Sequence, residues 1–308
     1  MSRLSTAVVL IFFRRVDCLA EVLDALVGAR PSRVYAYGDG PRAGRADEAQ
    51  ACSAAADLVK KRLSSVADLW FDQASENLGL RRRVETALDD VFSREENALI
   101  LEDDCVPAPV LFPFAADLLS RYAENSQVGS ITGTSFCGVS ESPGSADYYF
   151  SKYPHCWGWA TWRRAWKSYD RGGSAWPCSL SELKVDFLGK LERNYWQEIF
   201  SKTYAGKIDS WAYRWTLSCW RQGMLTITPR VNLVRNIGSG EGATHTRDPS
   251  GMKSLHKTGI LEFPLKNPAS VIQNKAADHR TFWRHHAMGA RLPFWARLLR
   301  SVRKKFPS

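Results

Sequence analysis

The sequence predicts an α/β fold, a mostly parallel sheet flanked by helices, and three observations carry that prediction. Over roughly the first 140 residues, short apolar runs alternate with stretches whose apolar residues recur at spacings of three and four. The 308 residues, 44% hydrophobic and 24% charged, match a globular chain with a substantial core and exclude disordered, collagen-like and disulfide-scaffold classes. No apolar stretch approaches the roughly 18 residues of a membrane span.

The elements follow in order. TAVVLIFF (6–13) reads as a buried first strand: the apolar run Ala7 to Phe13 is followed by Arg14, Arg15 and Asp17 rather than by a small-residue cleavage site. A helix is expected near 17–28, a strand at 33–38 (RVYAYG), a helix at 46–65 and a strand at 68–72 (DLWFD). Then come a helix at 80–94, a strand at 97–102 (NALILE), a helix at 108–124 and a strand at 128–135 (VGSITGTS). Ligands in such sheets bind beyond the carboxyl ends of the strands, which singles out the loops after residues 13, 38, 72 and 102.

Beyond about residue 140 the character changes. Nine of the twelve Trp lie between Trp157 and Trp220, seven of them in WGWATWRRAW and WAYRWTLSCW, which read as helical contexts. Pro154, Gly172, Gly173 and Pro177 break this region into short elements. The expected organisation is an α/β half over 1–140, a Trp-rich half fused to it over 141–250, and a C-terminal extension over 251–308.

Charge is concentrated at the end of the chain. Residues 280–308 hold eight Arg and Lys and no acid, so +8 of the +10 net charge belongs to the tail. That distribution argues against a nucleic-acid binder, which carries its charge through the body of the domain. In the tail, Phe294, Trp295, Leu298, Leu299 and Val302 fall at helical spacings among Arg297, Arg300, Arg303, Lys304 and Lys305. Such a cationic amphipathic segment suits an anionic membrane surface, or packs as a terminal helix on the body. Seven Cys without a CxxC pair read as reduced structural thiols, consistent with a cytoplasmic protein, peripheral on the inner membrane face if the tail docks there.

The most informative local pattern is ALILEDDCVPAP. An apolar strand runs into Glu102, Asp103 and Asp104, and Pro107 and Pro109 then stop it and open a helix. Three carboxylates emerging where a strand leaves the core repel one another unless a cation sits among them, and a hard divalent ion with oxygen ligands is the natural neutraliser. The bland counterpart is a solvated acidic turn.

This segment resembles the DxD-type motif of GT-A nucleotide-sugar glycosyltransferases, and is closest to the EDD form of the N-acetylglucosaminyltransferase I-like and related bacterial polysaccharide enzymes. The resemblance implies Mn²⁺ or Mg²⁺ at Asp104, with Asp103 and Glu102 toward the donor. Asp39, in YAYGDGPR, corresponds to the family's nucleoside-binding position. Asn77–Leu78–Gly79, followed by Arg81, Arg82 and Arg83, resembles its NxG element; Asn77 is placed to cap the following helix, and Arg82 to meet a diphosphate. YPHCWGWATWRRAW resembles the aromatic Gly-Trp segment, and IDSWAYRW the Asp-Trp element whose aspartate is the base of inverting members. Asp209 is thereby the expected base, and Trp157 and Trp211 the sugar-stacking candidates; Trp159, Trp162 and Trp166 fit core packing. RNIGSGEGATHT ends in His245, the position of a late metal or diphosphate ligand in some members.

The expected activity is therefore metal-dependent, inverting transfer of a hexosyl or N-acetylhexosaminyl group. The donor is a nucleotide-diphosphate sugar, a UDP-sugar favoured, and the acceptor a glycan or lipid-linked glycan. The alternative is a non-catalytic carbohydrate- or nucleotide-binding protein of the same fold.

Overall fold

A computed structural model describes residues 3–136, 145–173, 176, 180–238 and 257–286. Its centre is an eight-stranded sheet in the order β3-β2-β1-β4-β8-β6-β9-β7. The strands are β1 (Ala7–Phe12), β2 (Arg33–Gly38), β3 (Asp68–Gln73), β4 (Asn97–Glu102), β6 (Val128–Thr132), β7 (Tyr148–Ser151), β8 (Trp159–Trp162) and β9 (Leu225–Pro229). β1, β2, β3 and β4 are mutually parallel, and β6 and β9 share their direction, while β8 runs antiparallel to both β4 and β6, and β7 antiparallel to β9. The sheet is mostly parallel, as expected, and draws strands from both halves of the chain.

The first-half elements fall where periodicity puts them: α1 (Val16–Ala29), α2 (Ala46–Leu63), α3 (Leu80–Arg94) and α4 (Leu111–Arg121). In β1, alternate residues serve opposite faces. Val8, Leu10 and Phe12 join α1, α2 and α4 in a mostly aliphatic core containing Leu19, Val22, Leu23 and Leu26 at spacings of three and four. Ala7, Val9 and Ile11 join α3 and the aromatic side chains of the second half in the other core.

The Trp-rich segments divide differently from the expected helices. WATW is strand β8, inserted between β4 and β6, and only the next four residues, α5 (Arg163–Trp166), are helical. Pairing on both sides overrides the aromatic spacing, because every residue of β8 is buried between neighbours. The turn into it needs glycine: Gly158 has φ 58°, and a Cβ there would lie 2.5 Å from Val234. Two helices, α6 (Lys190–Tyr204) and α7 (Trp211–Gln222), cover the aromatic face, and α8 (Lys275–Thr281) continues into a turn of π-helix over Phe282–His286. Cys18, Cys52, Cys105, Cys156 and Cys219 are free thiols. No helix of the described residues is long and apolar enough to cross a membrane.

Beyond the main sheet, β5 (Cys105–Pro107) pairs antiparallel with β10 (Val234–Asn236), Asn236 opposite Cys105. This two-stranded ribbon carries the chain after β10 back across the end of β4.

Candidate functional site

Because β1 to β4 are parallel, Phe13–Arg15, Asp39, Asn77 and Glu102–Asp104 all emerge at one edge of the sheet, the carboxyl edge where open α/β sheets bind ligands. The edge is organised around the end of β4. Arg15 Nη2 lies 2.6 Å from Asp104 Oδ2 and 3.6 Å from Asp103 Oδ1, and the Phe13 N–H donates to Asp103 at 3.1 Å. Asn236 Nδ2 reaches Asp104 Oδ1 at 3.4 Å, and Arg15 Nη1 donates to the Gly238 carbonyl at 3.1 Å. Gly238 approaches so closely that a Cβ would stand 2.0 Å from Asp104 Oδ2. Ile237 and Gly238, directly after β10, therefore lie against Asp104, and the rest of the Gly-rich segment, His245 included, lies outside the described residues.

Three carboxylates face one guanidinium here, so that with all three ionised two negative charges are uncompensated. Burial, then the Asp104 charge, push the Asp103 carboxyl up to about 6 against the opposing pull of Arg15 and the Phe13 N–H. Glu102 is raised further, by burial and then by the Asp104 and Asp103 charges, and among the described residues nothing donates a hydrogen bond to its carboxylate. Burial works against the Arg15 charge, but the two aspartates outweigh it and raise its pKa. This is the electrostatic state of a carboxylate cluster short of positive charge. Oxygen donors only, with a deficit matching one divalent ion, fit Mn²⁺ or Mg²⁺ better than a soft metal.

Arg15 was missed by sequence reasoning. The Arg14–Arg15 pair directly after a buried strand was the signal, but the partner residues lie some ninety positions downstream. A second set of cations sits beside it: Arg14, Arg42 and Arg45 surround the fully buried Glu48 at 3.4, 3.3 and 3.8 Å. The Arg14 and Arg42 guanidiniums lie 5.6 and 6.0 Å from the centroid of the Phe13 ring. The loops after β1 and β2 thus present more positive than negative charge around an aromatic ring.

Asp39 holds this edge together. Its Oδ1 accepts from the N–H of Gly40 and Leu78, and its Oδ2 from the Gly79 N–H and Asn77 Nδ2, at 2.8 to 3.0 Å. Asn77 does not cap α3, contrary to expectation; Gly79 is the N-cap residue, and the Asn77 amide is spent on Asp39 and on the Gly40 carbonyl at 2.9 Å. The buried Arg83 bonds the Asp72 carbonyl and side chain and lies under the Tyr37 ring. Arg82 is exposed.

Asp209 reaches the same edge through Arg81. Arg81 opens α3 immediately after the β3 loop, and its guanidinium bonds the Asp209 carboxylate and, at 3.1 Å, Glu85. The Asp209 side chain is 66% exposed. Ser210 fixes its position by capping α7, accepting from the Tyr213 N–H.

The two stacking candidates part company. Trp157 is half-buried and lines a cavity of about 110 Å³ with its neighbours His155 and Cys156. Trp211 is 3% exposed and stacked on Trp159 with centroids 5.3 Å apart, so it is a core residue rather than a platform for sugar. The sequence spacing of IDSW cannot distinguish a ring turned to solvent from one packed on a neighbouring strand. Trp159, Trp162 and Trp166 are buried as expected.

Among known families and curated proteins, no family model and no protein matches this chain.

Proposed function

We propose that the chain is a metal-dependent, inverting glycosyltransferase that moves a hexosyl or N-acetylhexosaminyl group from a nucleotide-diphosphate sugar, most simply a UDP-sugar. The acceptor is a glycan or lipid-linked glycan, and the protein is cytoplasmic and peripheral to the membrane. The observation that carries the reading is the under-neutralised carboxylate triplet at the carboxyl edge of a mostly parallel sheet. Asp104, with Asp103 beside it, would hold Mn²⁺ or Mg²⁺, which when bound supplies positive charge for a diphosphate leaving group.

The chain's own residues do the rest. Arg14 and Arg42, flanking Phe13, are placed to meet the anionic and planar parts of a nucleotide. Asp39 acts by fixing the Asn77–Gly79 loop, whose backbone forms one wall of the edge. Asp209 accepts the proton of the attacking hydroxyl, oriented by Arg81, and attack opposite the leaving group inverts the anomeric centre. A non-catalytic binder is the second reading. It is favoured by the Arg15–Asp104 pair, in which a guanidinium stands where a cation would otherwise be needed.

A panel of nucleotide sugars, incubated with the full chain and Mn²⁺, Mg²⁺ or chelator, separates the two by release of free nucleoside diphosphate. Metal-dependent release that Asp104→Asn abolishes supports the transferase. Nucleotide-sugar binding without turnover under every condition supports the binder. Asp209→Asn should retain donor affinity and lose about a hundredfold or more in turnover, the contribution of a general base; unchanged turnover would remove Asp209 from that role.

A further inference from the structure

Away from the carboxylates, a second cluster has different chemistry. His155 lies in the loop between β7 and β8, whereas His285 and His286 end the π-helical turn more than a hundred residues later. The fold brings one ring nitrogen from each to within 4.8 Å of the others. Around a tetrahedral zinc ion with bonds of about 2.0–2.1 Å, ligand nitrogens stand about 3.3–3.4 Å apart, so closure needs only small ring movements. We infer that His155, His285 and His286 form a binding site for a borderline transition-metal ion, Zn²⁺ foremost, separate from the oxygen-donor site at Asp104.

Four observations support this assignment. The donor set is three imidazoles with no carboxylate, which selects zinc, copper, nickel or cobalt over Mg²⁺ or Mn²⁺. His286 is 8% exposed, and its Nε2 is buried without a hydrogen-bond partner, a costly arrangement that a metal bond would satisfy. The rings are held by aromatic walls: Phe136 stacks on His285 at 4.1 Å, His155 lies parallel to His286 at 6.1 Å, and Trp196 meets His286 edge-on at 4.9 Å. All three line the cavity of about 110 Å³, which has room for a water as fourth ligand.

Burial keeps the imidazoles in their neutral, ligating form: His155 and His286 are depressed well below the ordinary histidine value, and His285 is lowered to about 4. Bound metal would clip the turn after α8 to the loop that leads through Trp157 and Gly158 into β8. It would thereby stiffen a wall next to the end of β4 without touching the acidic triplet.

The full chain, stripped with chelator and desalted, should retain one equivalent of added Zn²⁺ through a second desalting step, measured by elemental analysis. Co²⁺ in its place should give the visible absorption of a tetrahedral nitrogen site without thiolate charge transfer. His155→Gln and His285→Gln should each lose that equivalent, and Asp104→Asn should keep it. X-ray absorption of the zinc-loaded wild-type chain reports imidazole scattering directly, and so decides the matter even where a variant fails to fold. Failure of the wild type to retain zinc, retention by both folded histidine variants, or an absorption spectrum with fewer than two imidazoles would overturn the assignment.

Discussion

The two faces of the sheet are built from different materials. The face under α1, α2 and α4 is packed mostly with Val, Leu and Ala, and its few polar aromatic groups are paired: the Tyr122 and Tyr148 hydroxyls meet at 2.8 Å, and the Trp162 indole donates to the Leu119 carbonyl at 3.1 Å. The face under α3, α6 and α7 is packed with Trp159, Trp166, Trp196, Trp211, Trp215 and Trp220, and it buries charge as well. Lys152 and Glu192, 0% and 2% exposed, meet there at 2.7 Å, with the Tyr153 hydroxyl also on Glu192. A largely aliphatic face can be dry and still satisfied. An aromatic face brings indole N–H groups and ions into the interior, and each one left without a partner costs stability.

Breaking the buried pair should have the largest effect. Glu192→Leu strands the Lys152 ammonium and removes the acceptor for the Leu188 N–H, which Glu192 holds at 2.8 Å. The expected loss is about 3–5 kcal/mol by chemical denaturation, against roughly 2–5 kcal/mol for Leu23→Ala on the aliphatic face. Adding Lys152→Met to Glu192→Leu should recover much of the loss, since no charge is then left unpaired. A double variant no more stable than Glu192→Leu alone would mean that shape, not charge, governs this face.

The same contrast explains what could be read in the sequence. Strands β1 to β4 and helices α1 to α4 were legible because aliphatic runs and three-four spacings are local signals. β8 was not, since WATW becomes a strand only through partners on either side of it, β4 and β6. Within the site, the acidic triplet announced itself by following a buried strand. Arg15 on Asp104, Arg81 on Asp209 and the three histidines are long-range pairings that leave no spacing motif. Asp39 follows β2 and so sits at the edge, but its three hydrogen bonds to the Asn77–Gly79 loop are a tertiary fact.

A second way to sharpen the comparison uses pH. Asp278, on α8, accepts from Ser151 Oγ, the Lys152 N–H and Gln273 Nε2, and the Lys152 charge also favours its ionised form. Burial nevertheless dominates and pushes its carboxyl up to about 6. Because the folded value lies above the unfolded one, the fold holds a proton that the unfolded chain has released between about pH 4 and 6. Asp278 therefore withdraws stability as pH rises through that window, and nothing further above it. Asp278→Asn, whose amide can donate to Ser151 Oγ while its oxygen accepts from the other two, lacks this loss. Its stability relative to wild type should climb by at most about 3 kcal/mol from pH 4 to 6 and then level off. A relative stability flat across the window would place the Asp278 carboxyl at an ordinary value.

The smallest effect distinguishes two tryptophans on the same face. Trp220 donates its indole N–H to the Lys152 carbonyl at 2.5 Å, whereas the Trp215 N–H is buried with no partner. Both are fully buried, so replacement by Phe removes similar volume in each case. Trp220→Phe also leaves a buried carbonyl short of a donor, at a cost of about 1–3 kcal/mol. Trp215→Phe instead removes an unpaired N–H, and that gain offsets part of the lost packing. Trp220→Phe should therefore be the less stable of the two by about 1–3 kcal/mol, read as the difference between their denaturation midpoints at constant slope. Equal midpoints would show that the aromatic face tolerates an unpaired indole without cost.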